Sequence, residues 1–579
     1  MPNGNGQQPR TFINTGAPPA KFYERFTNNV CRNSNWPRIT TRESVADFAP
    51  RDEGMDLLLI NAPIREWSYP NIEPIGQGYV ASVATMDGHR VSVLDLNAER
   101  REPNNRSADA FAHWMRAKIS DCLLRKPDVI GIGGIVTQYR QIKHIASHCK
   151  SIYPDVPIVL GGGIASSMPE FMLRHLPADV VVQHEGDVVI SEVLHRLEEG
   201  RNMEGVAGTT YRERKADGGF DIMSNGARQS VASREHGLDV LPWPLRSSWP
   251  IHDVYKMNPV GHVNWGPKWK DGAPGGDTPR SLSMIASRGC PYGAVGCDYC
   301  FATYLGKEYR LRSPREVVDE MEYLVKEYGI SYIETLDDLT LADYRWALEL
   351  FAELRLRRKQ SGFEVTWGGT CRTNIIATDI IRARAEGRPN LLEQAFDVGM
   401  LRAAYGVETG SPTILKAIDK SEQTPDKIKL AISETQRVMG YASCSFMFGS
   451  PGETAQTIQE TVDLCKDIPH VPEVIFFTTA YPGTTFWNLA LSKGLIRKAV
   501  TGEVGEANDG VIEQYLLRLG EQGDAVRTNF SDLPDEELLR LTYKATEELQ
   551  AQNLHRHPMN KGASVKQQSI AWDASQATL

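Results

Sequence analysis

Short apolar runs alternate with longer amphipathic stretches along most of the chain. The first run, MDLLLINAP (Met55–Pro63), is continuous and ends in turn residues, as is typical of a parallel strand buried on both faces. Four similar runs follow it, separated by stretches that can form helices: HRVSVLDLN, PDVIGIGG, VPIVLGGG and DVVVQHEGD. Over residues 55–210 this alternation predicts an α/β domain with a doubly wound, Rossmann-like sheet.

Residues 211–281 break the alternation, because LPWPLRSSWP and VNWGPKWKDGAPGGDTPR are rich in Pro, Gly and Trp. We interpret this stretch as a linker or cap. Its tryptophans can help to shape a substrate pocket, although packing anchors are the commoner role for such residues: Trp243, Trp249, Trp265 and Trp269.

A second alternating region covers residues 282–490. Its strand candidates are SLSMIAS, SYIETLDD, FEVTWGGTCR, LRAAYGVETG, ASCSFMFGSPGE and EVIFFTTAYPGT. Helical stretches lie between them, such as Pro314–Tyr328, whose apolar residues mark one face. Six strand–helix units in succession predict a partial (β/α)6 barrel. We expect residues 1–54 to form an irregular N-terminal extension, and residues 491–579 a helical C-terminal region with a disordered tail.

Composition narrows the class of protein. The 579 residues are too many for one hydrophobic core, and 41% apolar with 24% charged residues is ordinary for a soluble globular protein. A net charge of −9 without a dense basic stripe argues against nucleic acid as the main partner. No signal peptide or membrane-spanning run is visible. The nine cysteines, an odd number, favour a reducing cytoplasm over a disulfide framework. We expect a cytoplasmic monomer that acts on a small molecule.

Three of the cysteines, Cys290, Cys297 and Cys300, are clustered in RGCPYGAVGCDYC. A disulfide would leave one thiol over, and structural zinc needs a fourth ligand, whereas the next histidine is His470. A nucleophilic cysteine needs a base and has no use for three thiols. A [4Fe–4S] cluster on three thiolates uses all of them and leaves one iron open for a substrate or cofactor. The loop follows the strand SLSMIAS, at the end of the barrel where such enzymes keep their chemistry.

Cys290, Cys297, Tyr299 and Cys300 resemble the cluster loop of radical S-adenosylmethionine (SAM) enzymes. The spacing departs from the family norm, because six residues, PYGAVG, separate the first two cysteines where three are usual. Further segments are similar to the cobalamin-binding branch of that superfamily and occur in the same order: RLRSPREVVDEMEYLVKEYGISYIETLDDLT, GVETGSPTILKAIDK, FMFGSPGETAQTIQETVDL and AYPGTTFWNLALSKGLI. The resemblance spans roughly residues 55–490.

The resemblance implies that the open iron chelates SAM and that an electron from a flavodoxin- or ferredoxin-type donor leads to a 5′-deoxyadenosyl radical. Glu408 is then expected to hydrogen-bond the SAM ribose. The turn after the fifth barrel strand is expected to border SAM through Gly449, Pro451, Gly452 and Glu453, with a tight turn as the alternative for Gly452. Asp337 and Asp338 bind SAM or substrate, or cap a helix, and Arg372 has the same ambiguity. Cys371 and Cys444 are expected to be packed strand residues.

Residues 55–210 resemble the cobalamin-binding domain that precedes the barrel in this branch. Ligands of open α/β sheets bind beyond the carboxyl ends of the strands. The corresponding loops predict cobalamin contacts at Gly133, Gly134, Gly161, Gly162, Gly163, Glu185 and Gly186. We expect the lower face of the corrin to be covered by the IVTQ loop through Val136, Thr137 and Gln138.

One further motif, DGHRVS (Asp87–Ser92), partly matches the Asp-x-His-x-x-Gly pattern by which some cobalamin proteins ligate cobalt. Ser92 stands in place of the glycine, and the motif precedes the second strand instead of following the first. We therefore predict a helix-ending turn here and no histidine ligand to cobalt.

The resemblance implies a cobalamin-dependent radical SAM methyltransferase. Its acceptor would be an unactivated sp3 carbon or the phosphorus of a phosphinate in an antibiotic-type specialised metabolite. Two alternatives stay open at this point. One is a cobalamin-dependent radical SAM cyclase or oxidase that transfers no methyl group, and the other is a non-catalytic cobalamin-binding protein with a degenerate cluster loop.

Overall fold

The computed structural model describes residues 12–13, 54–64, 72–98, 108–228, 237–255, 280–292, 296–301, 308–469, 475–519 and 528–556. Two large sheets organise these residues, one for each alternating region of the sequence; the first is mixed and the second is parallel. The predicted α/β class is confirmed, with a Rossmann-like first sheet, a parallel half-barrel sheet and a helical C-terminus. Trp265, Trp269 and most of residues 1–54 lie outside the described residues.

The first sheet has the strand order β1-β3-β2-β4-β5-β6-β7-β8. Its strands are β1 (Phe12–Ile13), β2 (Asp56–Asn61), β3 (Arg90–Asp95), β4 (Val129–Gly133), β5 (Ile158–Gly161), β6 (Val180–Val182), β7 (Thr209–Arg214) and β8 (Phe220–Ser224). The five strands β3, β2, β4, β5 and β6 are parallel, whereas β1, β7 and β8 pair antiparallel with their neighbours. Strand order reverses between β2 and β4, which is the position where open α/β sheets bind ligands.

Helices cover both faces of this sheet: α1 (Ile75–Met86), α2 (Ala108–Cys122), α3 (Tyr139–Ile152), α4 (Gly163–Ser167), α5 (Pro169–His175) and α6 (Gly186–Glu198). Leu57 and Leu59 of β2 belong to one hydrophobic core, while Leu58 and Ile60 belong to another on the opposite face. This explains the continuous apolar run in the sequence, because successive side chains of a strand point to opposite faces.

The first sheet continues to Ser224, beyond the domain boundary placed at residue 210 from the sequence. The added hairpin, β7 and β8, forms an antiparallel edge whose outer strand is mostly exposed. Such a strand needs no apolar run, so the periodicity that marked the other strands is missing from it.

The second sheet is parallel throughout, with the order β16-β15-β14-β13-β12-β9. Its strands match the six candidates from the sequence: β9 (Ser281–Met284), β12 (Tyr332–Thr335), β13 (Thr366–Cys371), β14 (Met400–Glu408), β15 (Ser443–Phe448) and β16 (Ile475–Phe477). A short antiparallel pair, β10 (Ser287–Arg288) and β11 (Arg310–Leu311), brackets the cysteine loop.

The helices of the half barrel are α7 (Pro314–Tyr328), α8 (Tyr344–Ser361), α9 (Thr373–Glu386), α10 (Leu391–Asp397), α11 (Pro412–Ala417), α12 (Pro425–Met439) and α13 (Ala455–Asp467). Local sequence sets their ends. In α7 the Ser313 side chain accepts a hydrogen bond from the Glu316 amide, Pro314 occupies the first turn, and Gly329 ends the helix with φ of 60°.

Four helices follow the last strand: α14 (Thr485–Ser492), α15 (Leu495–Thr501), α16 (Asp509–Arg518) and α17 (Asp535–Arg556). Helix α16 lies against both domains. Its Glu513 accepts a 2.9 Å hydrogen bond from Tyr139 of α3, and its Tyr515 donates a 3.0 Å bond to the carbonyl of Ala480, after β16. None of the described helices combines the length and apolar character that crossing a bilayer needs.

Buried charges join the two sheets. Arg246, from the segment between them, donates a 2.8 Å hydrogen bond to Glu320 of α7 and lies 3.5 Å from Glu73, which precedes α1. Glu320 also accepts from Arg312. The described tryptophans of this segment are packed: Trp249 is buried, and Trp243 donates to Glu316 at 3.0 Å.

Candidate active site

The three clustered cysteines lie in the loop that β10 and β11 bracket, beyond the carboxyl end of β9. All three are half-buried thiols outside any disulfide, and the amide of Cys300 donates a 2.9 Å hydrogen bond to the carbonyl of Cys297. Among the described residues, three ligand atoms come within 4.8 Å of one another only at Asp87, His89 and His195. At least one pair of the three cysteine sulfurs is therefore more than 4.8 Å apart, which is wider than the roughly 3.8 Å that bonds to a single zinc ion would impose. This spread fits an iron–sulfur cluster better than one ion.

Tyr299 connects this loop to the barrel. Its hydroxyl donates a 2.8 Å hydrogen bond to Glu408, which also accepts a 2.9 Å bond from the Lys420 ammonium. Burial, followed by the nearby Glu408 and thiols, raises the pKa of the Tyr299 phenol well above its ordinary value, so the phenol is a neutral donor. Glu408 ends β14 with φ of 68°, a left-handed conformation that is uncommon outside glycine and is typical of functional sites.

Asp337 and Asp338 follow β12 and face the same end of the sheet. Asp337 accepts 2.8 Å hydrogen bonds from the amides of Ala286 and Ser287, just before the cysteine loop. Burial raises the pKa of Asp337 to about 7 and that of Asp338 to about 6. Each carboxylate has one buried oxygen, Oδ2, without a hydrogen-bond partner in the protein. These oxygens are available to a cationic ligand.

Arg372 follows directly after β13, and its guanidinium contacts the cysteine loop. Nη1 is 3.7 Å from the sulfur of Cys297, and Nη2 is 3.0 Å from the carboxylate of Glu422. Arg372 therefore faces Cys297 of the cysteine loop. Cys371, the preceding residue, is buried in the core as expected.

The turn after β15 is tied together by one of its own side chains. Glu453 was expected to border SAM, but its carboxylate folds back and accepts hydrogen bonds from the amides of Gly449 and Ser450. Gly449 and Gly452 have φ of 95° and 75°, as this tight turn requires. The C-terminal segment contacts this turn, where the Phe530 amide donates to the Gly449 carbonyl at 3.1 Å. Pro451 is half-buried and Gly452 exposed, and the second carboxylate oxygen of Glu453 is buried without a hydrogen-bond partner in the protein.

The carboxyl edge of the first sheet presents an apolar surface at the point where strand order reverses. Ile64, after β2, is 39% exposed and Ile135, after β4, is 50% exposed, although β2 and β4 are buried neighbours. A Cβ added at Gly161 would have no atom within 4 Å. Exposed apolar side chains and an open backbone suit a flat, largely apolar ligand such as a corrin ring.

At the other glycines of this edge, neighbouring protein atoms approach so closely that a side chain would not fit. A Cβ at Gly133 would lie 2.9 Å from Gln77, one at Gly134 would lie 2.7 Å from Ile142, and one at Gly162 would clash with the Gly134 carbonyl. A Cβ at Gly163 would lie 2.9 Å from the ring of Phe301, the residue after Cys300. The loop after β5 therefore contacts the cysteine loop of the second domain.

Val136, Thr137 and Gln138 form one short 3-10 turn after β4. Gln138 is buried, since its amide donates to the Ala62 carbonyl at 2.7 Å and accepts from the Ile135 amide at 2.8 Å. Its side chain thus ties together the loops after β2 and β4 and does not point outward. The exposed residue of this loop is its neighbour, Ile135.

Glu185, which was predicted as a cobalamin contact, has its carboxylate paired within the protein. Its carboxylate accepts hydrogen bonds from Arg310 at 2.6 Å and from Arg288 at 3.2 Å, and Arg288 is paired in addition with Asp187 at 2.7 Å. Two buried guanidinium groups from the second domain require these carboxylates as counter-charges. Gly186 begins α6 beside this network.

The DGHRVS motif forms the predicted helix-ending turn, with Asp87 as the C-cap of α1 and Gly88 at φ of 84°. The turn lies at the amino ends of the strands, opposite the carboxyl edge. His89 Nδ1 accepts from the Met55 amide at 3.2 Å, so Nε2 carries the proton and faces Asp87. Asp87 also accepts from Ser191 and lies 3.3 Å from His195 Nδ1, which bonds the Ser191 carbonyl. This arrangement is a hydrogen-bond network, because protonated ring nitrogens do not ligate a metal.

Two family profiles match the chain, one for each sheet. Residues 67–194 match the B12 binding domain, and residues 284–465, which include all three clustered cysteines, match the radical SAM superfamily. The chain belongs to the cobalamin-binding radical SAM enzymes. The cofactors of this radical SAM enzyme are a [4Fe–4S] cluster, SAM and cobalamin, and the thiols and the carboxyl edge fit them.

Relatives of this radical SAM enzyme include methyltransferases. An uncharacterised methyltransferase of Pyrococcus horikoshii is 28% identical over 428 residues, which cover 73% of this chain and 79% of the relative. Cytidylyl-2-hydroxyethylphosphonate methyltransferase of Streptomyces wedmorensis is 25% identical over 499 residues and 81% of each chain. An anaerobic magnesium-protoporphyrin IX monomethyl ester cyclase of Rubrivivax gelatinosus is 25% identical over 344 residues, 59% of this chain and 54% of the cyclase.

Solved structures show the same fold. The radical SAM methyltransferase TsrM of Kitasatospora setae, with tryptophan and a SAM analogue bound, has a TM-score of 0.55 at 20% identity over 77% of each chain. The cobalamin-dependent SAM radical enzyme OxsB has a TM-score of 0.54 at 16% identity, covering 90% of this chain and 66% of OxsB.

Sequence reasoning missed several residues of this site. Lys420 ends the segment GVETGSPTILKAIDK and Phe301 follows Cys300, but only the tertiary fold reveals what their side chains contact. His184, in the loop after β6, has φ of 61°, and its amide donates to Ser166 at 2.7 Å. A left-handed histidine at the cobalamin edge has no sequence signal, because only the backbone conformation reveals it.

Proposed function

We propose that this radical SAM enzyme transfers a methyl group from SAM, by way of cobalamin, to a small specialised metabolite. The contact between Phe301 and Gly163 supports the proposal most directly, because it joins the cysteine loop to the carboxyl edge of the first sheet. A cluster on the cysteines and a corrin on that edge would therefore face one shared space. When bound, the cluster and SAM supply radical chemistry, and cobalamin supplies a methyl carrier.

Individual residues have distinct parts in this proposal. Cys290, Cys297 and Cys300 would hold the cluster. The unpartnered oxygen of Asp338, buried near Cys290, would accept a hydrogen bond from the SAM ammonium. Glu408 would reach the SAM ribose while Tyr299 and Lys420 fix its position.

At the other side of the shared space, Ile64 and Ile135 would pack against the corrin, and the open backbone at Gly161 would let the corrin approach closely. No histidine is assigned to cobalt, and the loop of Val136 and Thr137 would cover the lower face. The exposed apolar residues at this edge support a corrin held by packing.

The acceptor in this proposal is an sp3 carbon or the phosphorus of a phosphinate. Likeness to a methyltransferase named for a cytidylyl hydroxyethylphosphonate, over 81% of the chain, supports a phosphorus-containing metabolite. The enzyme would work as a cytoplasmic monomer with a flavodoxin- or ferredoxin-type electron donor. A cyclase that transfers no methyl group is the second candidate, supported by likeness to the magnesium-protoporphyrin cyclase over 59% of the chain.

Anaerobic reconstitution with iron, sulfide and hydroxocobalamin tests the proposal. The protein is incubated with SAM deuterated at its methyl group, a chemical reductant and a panel of phosphonates, phosphinates and aliphatic acceptors. We expect 5′-deoxyadenosine and a product that carries the deuterated methyl group. 5′-Deoxyadenosine with an unmethylated product would support the cyclase instead.

The cysteine assignment has its own control. Cys290→Ala, Cys297→Ala and Cys300→Ala together should remove the iron, whereas Cys371→Ala, at a packed strand cysteine, should retain it. Zinc in the wild-type protein, or a full iron load in the triple variant, would overturn the cluster assignment and with it the proposed function.

A further inference from the structure

The six-residue spacer between Cys290 and Cys297 brings an aromatic ring against a buried arginine. Tyr292, the second residue of the spacer, has its ring centroid 3.8 Å from the guanidinium carbon of Arg372. The Tyr292 hydroxyl accepts a 3.0 Å hydrogen bond from the side-chain amide of Asn374, on the first turn of α9. The ring is thus fixed from two sides by the segment that follows β13.

The guanidinium has three described contacts. One face lies on the Tyr292 ring, Nη2 is paired with Glu422, and Nη1 reaches the sulfur of Cys297 at 3.7 Å. The side chain of Arg372 is 5% exposed, so water screens its charge little. A cation–π contact of this kind holds a planar guanidinium in one orientation.

A donor aimed at a cysteine sulfur matters most when that sulfur ligates iron. Hydrogen bonds to cluster sulfurs and nearby charge are among the factors that set the reduction potential of an iron–sulfur cluster. A positive donor favours the reduced cluster, because reduction adds one negative charge. The six-residue spacer, which departs from the usual cysteine spacing, thus contains Tyr292, the residue whose ring holds the Arg372 donor.

We propose that Arg372 is a positioning residue that donates a hydrogen bond to the Cys297 thiolate of the bound cluster and raises the cluster's reduction potential, and that Tyr292 holds its guanidinium in place. The proposal rests on the [4Fe–4S] cluster of the proposed function, and it is independent of the methyl acceptor. It assigns a role to the six-residue spacer, whereas the alternative of a degenerate cluster loop assigns it none.

The test is the midpoint potential of the reconstituted cluster, measured by an anaerobic redox titration followed by electron paramagnetic resonance, without SAM or substrate. Tyr292→Leu removes the ring face but leaves the cysteines and Arg372 unchanged. We expect its potential to fall by the equivalent of about a tenfold change in the reduction equilibrium, about 59 mV for one electron. Arg372→Met should lower the potential at least as much, and Tyr292→Phe, which keeps the ring face, should lower it least.

The matched control is Tyr344→Leu. Tyr344 makes the same kind of contact with Arg388, at 5.4 Å, on helix α8 away from the cysteines. This variant should keep the wild-type potential and iron content.

The proposal would be overturned if Tyr292→Leu kept its full iron content and had the same midpoint potential as Tyr344→Leu. A reduced iron content in Tyr292→Leu would overturn it as well, because the ring would then stabilise the loop and not the donor. Wild-type protein without a cluster would contradict the proposed function itself, and this result is distinct from both.

Discussion

The Tyr299 hydroxyl donates a 2.8 Å hydrogen bond to Glu408 and so ties the residue between two cluster cysteines to the end of β14. Lys420 donates to the same carboxylate oxygen at 2.9 Å. The side chains of Lys420 and Glu408 are 7% and 11% exposed, so this pair is buried. The position of the cysteine loop thus depends on a charged pair inside the barrel.

Glu408→Leu should be strongly destabilising, because it leaves the buried Lys420 ammonium without its counter-charge. The expected loss is about 3–5 kcal/mol in the free energy of unfolding. In Glu408→Leu/Lys420→Met no buried charge is left over, and the double variant should regain part of that loss. Urea denaturation of the two variants checks this. A double variant less stable than the single one would show that the pair is not what holds this region.

Gly161 and Gly163 offer a matched test of the carboxyl edge. Gly163→Ala places a Cβ 2.9 Å from the Phe301 ring, so we expect a loss of about 1–3 kcal/mol even without cobalamin. Gly161→Ala meets no atom within 4 Å and should leave the stability of the cobalamin-free protein unchanged. It should weaken cobalamin binding, measured by the cobalamin retained after gel filtration. Unchanged retention would place the ligand away from this backbone.

Glu453→Gln should change how stability depends on pH. Burial raises the pKa of Glu453 from 4.5 to about 7, so the folded protein keeps this proton where the unfolded chain has lost it. The group's contribution to stability is therefore fully present below pH 4.5 and is lost as the pH rises towards 7. Between pH 5 and pH 8 the wild type should lose on the order of 3 kcal/mol relative to the glutamine variant.

Urea midpoints of both proteins at four pH values in this range measure the difference. Glu503→Gln serves as the control, because Glu503 is 77% exposed and should leave the pH profile unchanged. Parallel profiles for wild type and Glu453→Gln would mean that the buried carboxylate is already ionised at pH 5.

Glu513→Ala should loosen helix α16 from the cobalamin-binding domain. The Glu513 carboxylate accepts hydrogen bonds from Tyr139 and Lys143 and lies 3.3 Å from His175. Its loss leaves partly buried donors without their acceptor, at a cost of about 1–3 kcal/mol. Hydrogen exchange of residues 509–518 should become faster, while exchange in α17 stays unchanged. Glu548→Gln, in an exposed ion pair of α17 with Lys466, is the control.

Much of the architecture could be read from the sequence alone. The six strands of the half barrel and the five parallel strands of the first sheet coincide with apolar runs, because strands buried on both faces need apolar residues at every position. Strand β8 was not predicted, because it is mostly exposed and therefore needs no apolar run. The cysteine loop was visible because its ligands are neighbours in the sequence.

Side-chain roles at the two carboxyl edges were decided by the tertiary structure. Glu185 and Glu453 occupy loops that the sequence places correctly, but only the fold shows that the Glu185 carboxylate pairs with Arg310 and that the Glu453 carboxylate accepts from the Gly449 amide. The sequence by itself determined which segments fold into strands and where the three thiols stand, since periodicity and spacing are local. Only the tertiary structure decided which polar groups pair, because a buried charge takes its partner from whatever the fold brings beside it.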